Sequence, residues 1–183
     1  MVEWQLMQRT EYAKKREAKD ASKLKIGVVV SRFNTDITEG MLDGALEEMR
    51  AWKVNPKNIR VIRVPGGFEI PYGCLQLIKR WKPSAIIAIG CVIKGETDHD
   101  KYIAAGAQQG GMQLSLQYNV PISFGVITTN TLKQAKDRSA GETNKGSEAA
   151  AALWLRLTKA KLSLRQRFPK ASTLPHRNAN AQA

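Results

Sequence analysis

The sequence has few of the residues from which disulfide, metal or membrane proteins are built. Its 183 residues include two cysteines and two histidines. Cys74 and Cys91 have no metal-ligand spacing and fall within predicted buried elements, so we expect reduced core thiols and a cytoplasmic protein. No apolar run approaches the roughly 20 residues that span a bilayer, which predicts no membrane partner. Residues 1–25 are charged and lack the apolar centre of a secretory signal.

Acidic residues are also scarce, because 16 of them stand against 29 lysines and arginines, a net charge of +13. Residues 156–183 hold seven basic residues and no acidic ones, whereas residues 1–25 and residues 26–155 each have an excess of three positive charges. The body of the chain is therefore close to balanced. A basic tail of this kind either stays solvated or binds nucleic acid or another polyanion.

The length suits one domain with two extensions. We expect an N-terminal extension at residues 1–24, in which mixed charges and scattered apolar residues suit a leader that packs on a neighbouring subunit. A folded domain is expected at residues 25–165. Residues 166–183 are expected to form a basic, disordered tail, because no apolar period continues beyond Pro169.

Short β-branched apolar runs alternate with segments of helical spacing, which is typical of α/β proteins. The apolar runs predict strands at residues 25–31, 59–64, 85–93 and 122–128. The segments between them predict helices that begin with a cap at Thr35 or Asp36, at residues 68–71, at His99, after a cap at Thr131, and at Asn144, the last running to about Leu164. The alternation predicts a three-layer α/β/α sandwich around a four-stranded parallel sheet.

The turn that follows each predicted strand holds polar or aromatic residues in an otherwise apolar scaffold. These turns are residues 32–34, 66–69, 95–99 and 128–130. The carboxyl ends of parallel strands meet at one edge of a sheet, and ligands of α/β proteins bind there. The four turns therefore predict one ligand site.

The residue types in these turns indicate a ligand that carries phosphate. Backbone N–H groups at Glu96 and Thr97, just before a helix, suit an anion. Arg138, after the fourth strand, has the forked geometry that binds phosphate. His99 lies beside them, and a histidine at this place is a candidate proton shuttle. Taken alone, His99 is equally consistent with a solvated turn residue, and Arg138 with a surface helix end.

Two further residues suit an organic ligand. Phe33 could stack on a flat heterocycle, and the carboxylate of Glu69 could accept hydrogen bonds from a sugar or polyol. The alternatives are that Phe33 is part of the core and that Glu69 only interacts with the helix dipole. Residues and spacing alone indicate an α/β protein for a small, phosphate-bearing ligand.

Five segments, in order along residues 25–158, resemble the lumazine synthase family. They are residues 31–34, 64–71, 90–99, 121–131 and 144–149. The resemblance implies a flavodoxin-like sheet and a transferase of riboflavin biosynthesis. The family condenses 5-amino-6-(D-ribitylamino)uracil with 3,4-dihydroxy-2-butanone 4-phosphate to 6,7-dimethyl-8-ribityllumazine, in the penultimate step of that pathway. It uses neither metal nor organic cofactor.

The resemblance also implies roles by position. His99 would be the general acid and base of the reaction. The implied substrate-binding residues are Phe33 at the pyrimidine ring, Gly67, Phe68 and Glu69 at the ribityl chain, Cys91, Val92 and Ile93 at the pyrimidine edge, Glu96, Thr97 and Arg138 at the phosphate, Phe124 from the adjacent subunit, and Lys145 near the site.

The assembly implied by the resemblance is a pentamer, which in this family can build a 60-subunit shell, with riboflavin synthase as a further partner. The sequence departs from the family at Asp100-Lys101, where an aromatic residue and an acid usually stand. The stretch from Arg138 to Lys145 is one residue shorter than a common form, and both tails are long.

Two hypotheses of other classes remain open from the sequence. The first is a shell or binding protein on the family scaffold, whose basic tail captures nucleic acid or acidic cargo. The second is a flavodoxin-like regulator that binds a flavin or pterin without turnover.

Overall fold

The computed structural model describes residues 21–167, and from residue 158 onward only the helical backbone. In this part of the chain the strands are β1 (Ile26–Ser31), β2 (Ile59–Val64), β3 (Ala85–Ile93) and β4 (Ile122–Thr129). The α-helices are α1 (Thr35–Ala51), α2 (Ile70–Trp81), α3 (His99–Tyr118), α4 (Leu132–Lys136) and α5 (Lys145–Arg167). Two 3-10 turns, Pro56–Asn58 and Gly141–Thr143, complete the order.

The four strands form one parallel sheet in the order β2-β1-β3-β4. Val28 of β1 pairs with Val61 on one side and Ile87 on the other, so β1 and β3 lie at the centre. Both central strands are almost wholly buried, as the β-branched apolar runs predict. The predicted parallel sheet is confirmed.

Helices cover both faces of the sheet. One core cluster joins alternate residues of β1 and β3 to α1 and α5, where Trp52 and Trp154 stack with ring centroids 5.0 Å apart. The second cluster joins the other alternate residues, such as Val29 and Ile86, to α2 and α3. Successive strand residues point to opposite faces, so each strand contributes to both clusters. The architecture is the predicted three-layer α/β/α sandwich.

The cap predicted for α1 is wrong, although that of α4 is confirmed. The residue before α1 is Asn34, whose left-handed backbone (φ 59°) turns the chain and whose side chain makes no capping bond. Its amide instead donates to the carbonyl of Cys91 at 3.0 Å, and Thr35 Oγ1 donates to the carbonyl of Arg32. The Thr131 hydroxyl accepts from the N–H of Gln134, the expected cap of α4.

The chain just before β1 packs against the domain. Ala21 is buried, and its N–H donates to the carbonyl of Trp52 at 3.2 Å. The amide of Asn58 donates to the carbonyl of Ser22 at 2.8 Å. Residues 1–20 and 168–183, which hold most of the predicted extensions, lie outside the described residues. No helix within residues 21–167 is long and apolar enough to cross a membrane.

The contact between α1 and α5 leaves no room for a side chain at Gly146. A Cβ there would lie 1.8 Å from the carbonyl oxygen of Met41, which is backbone and cannot rotate away. We therefore expect Gly146→Ala to force α5 away from α1 and to lower the melting temperature by roughly 6–12 °C, equivalent to about 3 kcal/mol. Gly95→Ala is the control, because nothing lies within 4 Å of its Cβ position. Equal melting temperatures for the two variants would contradict the prediction.

Candidate active site

All four predicted turns lie at the carboxyl edge of the sheet. The turn after β1 is bound to the end of β2, because the N–H groups of Arg32 and Phe33 donate to the carbonyls of Val64 and Pro65 at 2.8 and 3.1 Å. The turn after β3 is joined to β4 by a 2.8 Å bond from the Lys94 N–H to the Thr129 carbonyl. The backbone thus holds the turns together without any ligand.

Phe33 stands out from this edge and is 70% exposed. Its backbone N–H is bound to the carbonyl of Pro65, just after β2, and the side-chain amide of Asn34 donates to the Cys91 carbonyl. The exposure excludes the alternative that Phe33 is part of the core. A fixed backbone below an exposed ring is an arrangement that suits stacking on a flat molecule.

The turn after β2 is closed by Glu69. Its Oε2 accepts from the N–H of Gly66 at 2.9 Å. Gly67 lies against α3, where a Cβ would be 3.0 Å from the side chain of Ile103, so a larger residue at this position would require Ile103 to shift. The Phe68 ring lies beside Gly106 of α3 and is 63% exposed. Glu69 therefore orders its own turn, and one of its two oxygens is used there.

The end of β3 presents backbone rather than reactive side chains. Cys91 is buried, and Val92 and Ile93 are half-buried. Burial raises the pKa of the Cys91 thiol to about 11, although the hydrogen bond with Asn34 opposes this. The pKa of Cys74 is raised to about 12 by burial. Both thiols are unpaired, as predicted, and stay protonated at neutral pH.

Because thiolate is the reactive form, we expect both cysteines to react with a disulfide reagent at pH 7.5 at least roughly 10²-fold more slowly than a free thiol. Unfolding in guanidinium should release two reactive thiols per chain. Cys74→Ala isolates the half of the signal that belongs to Cys91. Rapid modification of one thiol in the native protein would contradict the assigned burial.

The loop between β3 and α3 is exposed. None of the described residues accepts a hydrogen bond from the backbone N–H of Glu96 or Thr97. The Thr97 hydroxyl accepts a long bond, 3.4 Å, from the N–H of His99, the first residue of α3. Glu96, Thr97 and His99 are all solvent-exposed. Free N–H groups at a helix start are the feature that suits an anion.

Arg138 borders an open cleft of about 490 Å³ between α3, the end of β4 and α4. Its lining residues are Asp100, Lys101, Ala104, Thr128, Thr129, Asn130, Gln134 and Arg138. Arg138 Nη1 donates to the carbonyl of Gln134 at 2.9 Å, and the side chain of Gln134 accepts from the N–H of Asn130 at 2.8 Å. These bonds orient the guanidinium beside the end of β4. Glu96, Thr97 and His99 do not line this cleft, although His99 directly precedes Asp100.

Asn144 fixes the short loop that connects Arg138 to α5. Its buried amide donates to the carbonyls of Gly40 and Ser139 at 2.9 and 2.8 Å. Its carbonyl oxygen accepts from the N–H groups of Gly146 and Ser147. Sequence reasoning assigned Asn144 only to a helix start, since its bond to Gly40 spans 104 positions and is not visible in the sequence.

Lys145 and Phe124 do not join this cleft. The backbone N–H of Lys145 donates to the Arg138 carbonyl at 2.9 Å, but its amine pairs with Glu148 at 2.5 Å. Phe124 is 44% exposed on the outermost strand, five residues before Thr129. At about 3.3 Å per residue, it lies about 17 Å back from the carboxyl edge. Phe124 thus cannot reach a ligand beside Phe33 of the same subunit.

The fold and the geometry of the site together define the class of protein. This is a flavodoxin-like α/β protein that presents an exposed aromatic ring, exposed helix-start N–H groups and an arginine-lined cleft along one edge of its sheet. The chain belongs to the 6,7-dimethyl-8-ribityllumazine synthase family, whose sequence model matches residues 23–160.

Curated relatives agree with this assignment. The 6,7-dimethyl-8-ribityllumazine synthase of Parabacteroides distasonis is 44% identical over 132 residues, which cover 72% of this chain and 82% of the relative. The protein of the same name from Phocaeicola vulgatus is 45% identical over 132 residues, covering 72% and 79%. That of Bacteroides fragilis is 44% identical over 128 residues, covering 69% and 90%. The family resemblance seen in the sequence is confirmed.

Proposed function

We propose that this chain condenses 5-amino-6-(D-ribitylamino)uracil with 3,4-dihydroxy-2-butanone 4-phosphate to form 6,7-dimethyl-8-ribityllumazine, a step of riboflavin biosynthesis. The observation that carries the proposal is the family match over residues 23–160, with relatives of that name at 44–45% identity. Family membership favours a transferase over a binding-only shell or a flavodoxin-like regulator. The catalytic domain is the segment proposed at residues 25–165.

The pyrimidine substrate binds along the turns after β1, β2 and β3. Phe33 stacks on the ring, which its exposure and fixed backbone support. Gly67, Phe68 and Glu69 line the ribityl chain, and the Glu69 oxygen that is not bound to Gly66 accepts ribityl hydroxyls. Backbone groups of residues 91–93 hold the pyrimidine edge.

The four-carbon substrate binds through its phosphate. The N–H groups of Glu96 and Thr97 and the guanidinium of Arg138 hold the anion, with the amine of Lys145 nearby. His99 exchanges protons during imine formation and phosphate loss. An amine and a ketone already react with one another, so placing them together is the larger part of catalysis. Loss of His99 therefore slows turnover rather than abolishing it.

The site is completed by a neighbouring subunit. Phe124 lies too far from the carboxyl edge to serve its own chain, and its exposure on the outermost strand leaves it available to another. Helix α3 exposes Tyr102, Met112 and Leu116 along one side, a surface that suits self-association. We propose a pentamer, with a 60-subunit shell as a larger form. Mass photometry separates them, at about 100 kDa and about 1.2 MDa from a 20.3 kDa chain.

Three further parts of the proposal concern the surroundings of the enzyme. Its location is the cytoplasm, which two unpaired thiols support. Riboflavin synthase is a partner, because it acts on the product. The basic segment 156–183 binds nucleic acid, a prediction that lies largely outside the described residues. A gel shift that disappears with rising salt and with truncation after residue 165 would support it.

The activity is tested with the purified full-length protein and both substrates. Product formation is followed by lumazine absorbance and fluorescence. The condensation also proceeds without enzyme, so the rate is compared with that of a protein-free mixture. A rate no greater than the spontaneous one would overturn the proposed function.

A further inference from the structure

Two buried oxygen atoms that belong to residues lining the cleft beside Arg138 have no hydrogen-bond partner within residues 21–167. They are Thr129 Oγ1 and Asp100 Oδ1. Thr129 is only 7% exposed, so its hydroxyl cannot turn freely into solvent. Leaving a buried polar atom unpaired costs about 1–3 kcal/mol, and few such atoms occur in a native protein. Two in a single cleft point to a group supplied from outside the protein.

The cleft has an anion-binding side as well as these two oxygens. Arg138 uses one nitrogen, Nη1, for the carbonyl of Gln134, and the guanidinium has further N–H groups. Lys101 also lines the cleft, and its exposed amine pairs with Asp98 at 2.9 Å. A bare anion would interact favourably with these cations but unfavourably with the carboxylate of Asp100. The lining therefore suits a ligand with two different ends.

We propose that Asp100 and Thr129 form the hydroxyl-binding half of this cleft, whose other half holds phosphate. The ligand class is a short phosphate monoester with a hydroxyl on the carbon next to the phosphate-bearing one. The carboxylate of Asp100 accepts a hydrogen bond from this hydroxyl, and Thr129 bonds to the same group. Identifying the natural ligand as 3,4-dihydroxy-2-butanone 4-phosphate rests on the proposed function, but the recognition chemistry does not. Asp100 is thus a specificity-determining residue.

The test compares two unreactive phosphate monoesters that differ in their hydroxyls. Glycerol 3-phosphate has a hydroxyl next to the phosphate-bearing carbon, and ethyl phosphate has none. Titration of the full-length protein, followed by NMR, should show that glycerol 3-phosphate binds about tenfold more tightly, the effect of a hydrogen bond to a charged group. In Asp100→Ala this preference should fall to about twofold or less, while ethyl phosphate binds at least as well as to the wild type because a negative charge has been removed.

Two variants separate recognition from folding. Thr129→Val keeps the shape of the side chain but lacks the hydroxyl. It should reduce the preference for glycerol 3-phosphate by about threefold without weakening the binding of ethyl phosphate. Asp43→Ala removes an exposed carboxylate on α1, away from the cleft, and should keep the wild-type preference. The inference is overturned if the wild type shows no preference for glycerol 3-phosphate or if Asp100→Ala retains that preference. It is also overturned if Asp100→Ala binds both ligands equally more weakly, which would indicate a structural role.

Enzyme kinetics distinguish this inference from the proposed function. If the protein is a synthase, Asp100→Ala should raise the KM for the four-carbon phosphate by about tenfold and leave that for the pyrimidine unchanged. A protein without synthase activity that still shows the hydroxyl preference would overturn the proposed function alone. An active synthase whose preference is unaffected by Asp100→Ala would overturn the hydroxyl site alone.

Discussion

Arg138→Ala is expected to raise the KM for 3,4-dihydroxy-2-butanone 4-phosphate by about 100-fold and to change that for the pyrimidine by no more than about twofold. The guanidinium is held at the cleft by its bond to the Gln134 carbonyl, with further N–H groups in a fork that matches phosphate. Alanine removes both the charge and this fork, while the neighbouring bonds of Asn144 keep the loop in place. Steady-state kinetics with each substrate varied in turn measure the two constants.

Two other variants show whether the effect belongs to this side chain. Lys136→Ala removes an exposed cation from the end of α4, two residues before Arg138, and should leave both KM values nearly unchanged. Arg138→Lys retains the charge but loses the planar fork, so its KM for the phosphate substrate should lie between those of the wild type and the alanine variant. Equal increases for the two substrates in Arg138→Ala would remove Arg138 from the phosphate site.

The sheet was predictable from sequence because its cause is local. The central strands are short β-branched runs buried on both faces, and the turns after the four strands contain the Gly, Pro and Asn that stop a strand. Since all four strands are parallel, the polar turns had to meet at one edge. The exposed ring of Phe33 and the position of Arg138 at the end of α4 both follow from that arrangement.

What could not be predicted depends on approaches between distant segments. Asn34 is a good capping residue in isolation, but here its amide is bound to Cys91, 57 positions away, so it makes no cap. The bond from the Asn144 amide to the Gly40 carbonyl is more remote still, because it spans 104 positions. The pairing of Lys145 with Glu148 is local by contrast, because the two residues are three positions apart in one helix.

The role of Asp100 was missed for the same reason. The sequence shows an acid after His99, but the burial of the Asp100 Oδ1 depends on how α3 meets the end of β4 and α4. The departure from the family at Asp100-Lys101 was the only signal available. Strand order is likewise absent from the pattern of apolar residues. Phe124 lies on an outermost strand, where a ring can be exposed, and that position is a property of the assembled sheet.

Co-expression of Phe33→Ala with Phe124→Ala should restore part of the activity that each variant loses on its own. Each single variant loses an aromatic ring proposed to contact the pyrimidine, and we expect kcat/KM to fall by roughly 10- to 100-fold. The backbone bonds of Phe33 to β2 do not depend on its side chain, and its ring is exposed, so its loss should leave the fold intact. The two variants should therefore fold normally and lose activity only because their binding site is altered.

The recovery follows from the position of the two rings. If each site takes Phe33 from one subunit and Phe124 from the next, a ring of randomly mixed subunits has both native residues at about one quarter of its sites. The mixed assembly should then show about one quarter of the wild-type activity at limiting pyrimidine. If both rings served a site within one chain, every site in the mixture would lack one of them, and activity would stay at the level of the single variants.

Two controls make the result decisive. The variants carry different affinity tags, so that tandem purification selects assemblies containing both. Variants that were purified separately and then combined should show no recovery as long as their subunits do not exchange. Tandem-purified assemblies that contain both variants, keep the wild-type mass, and show only the activity of the single variants would place Phe124 outside the neighbouring site. Recovery in these assemblies would show that one catalytic site is built from two copies of this chain.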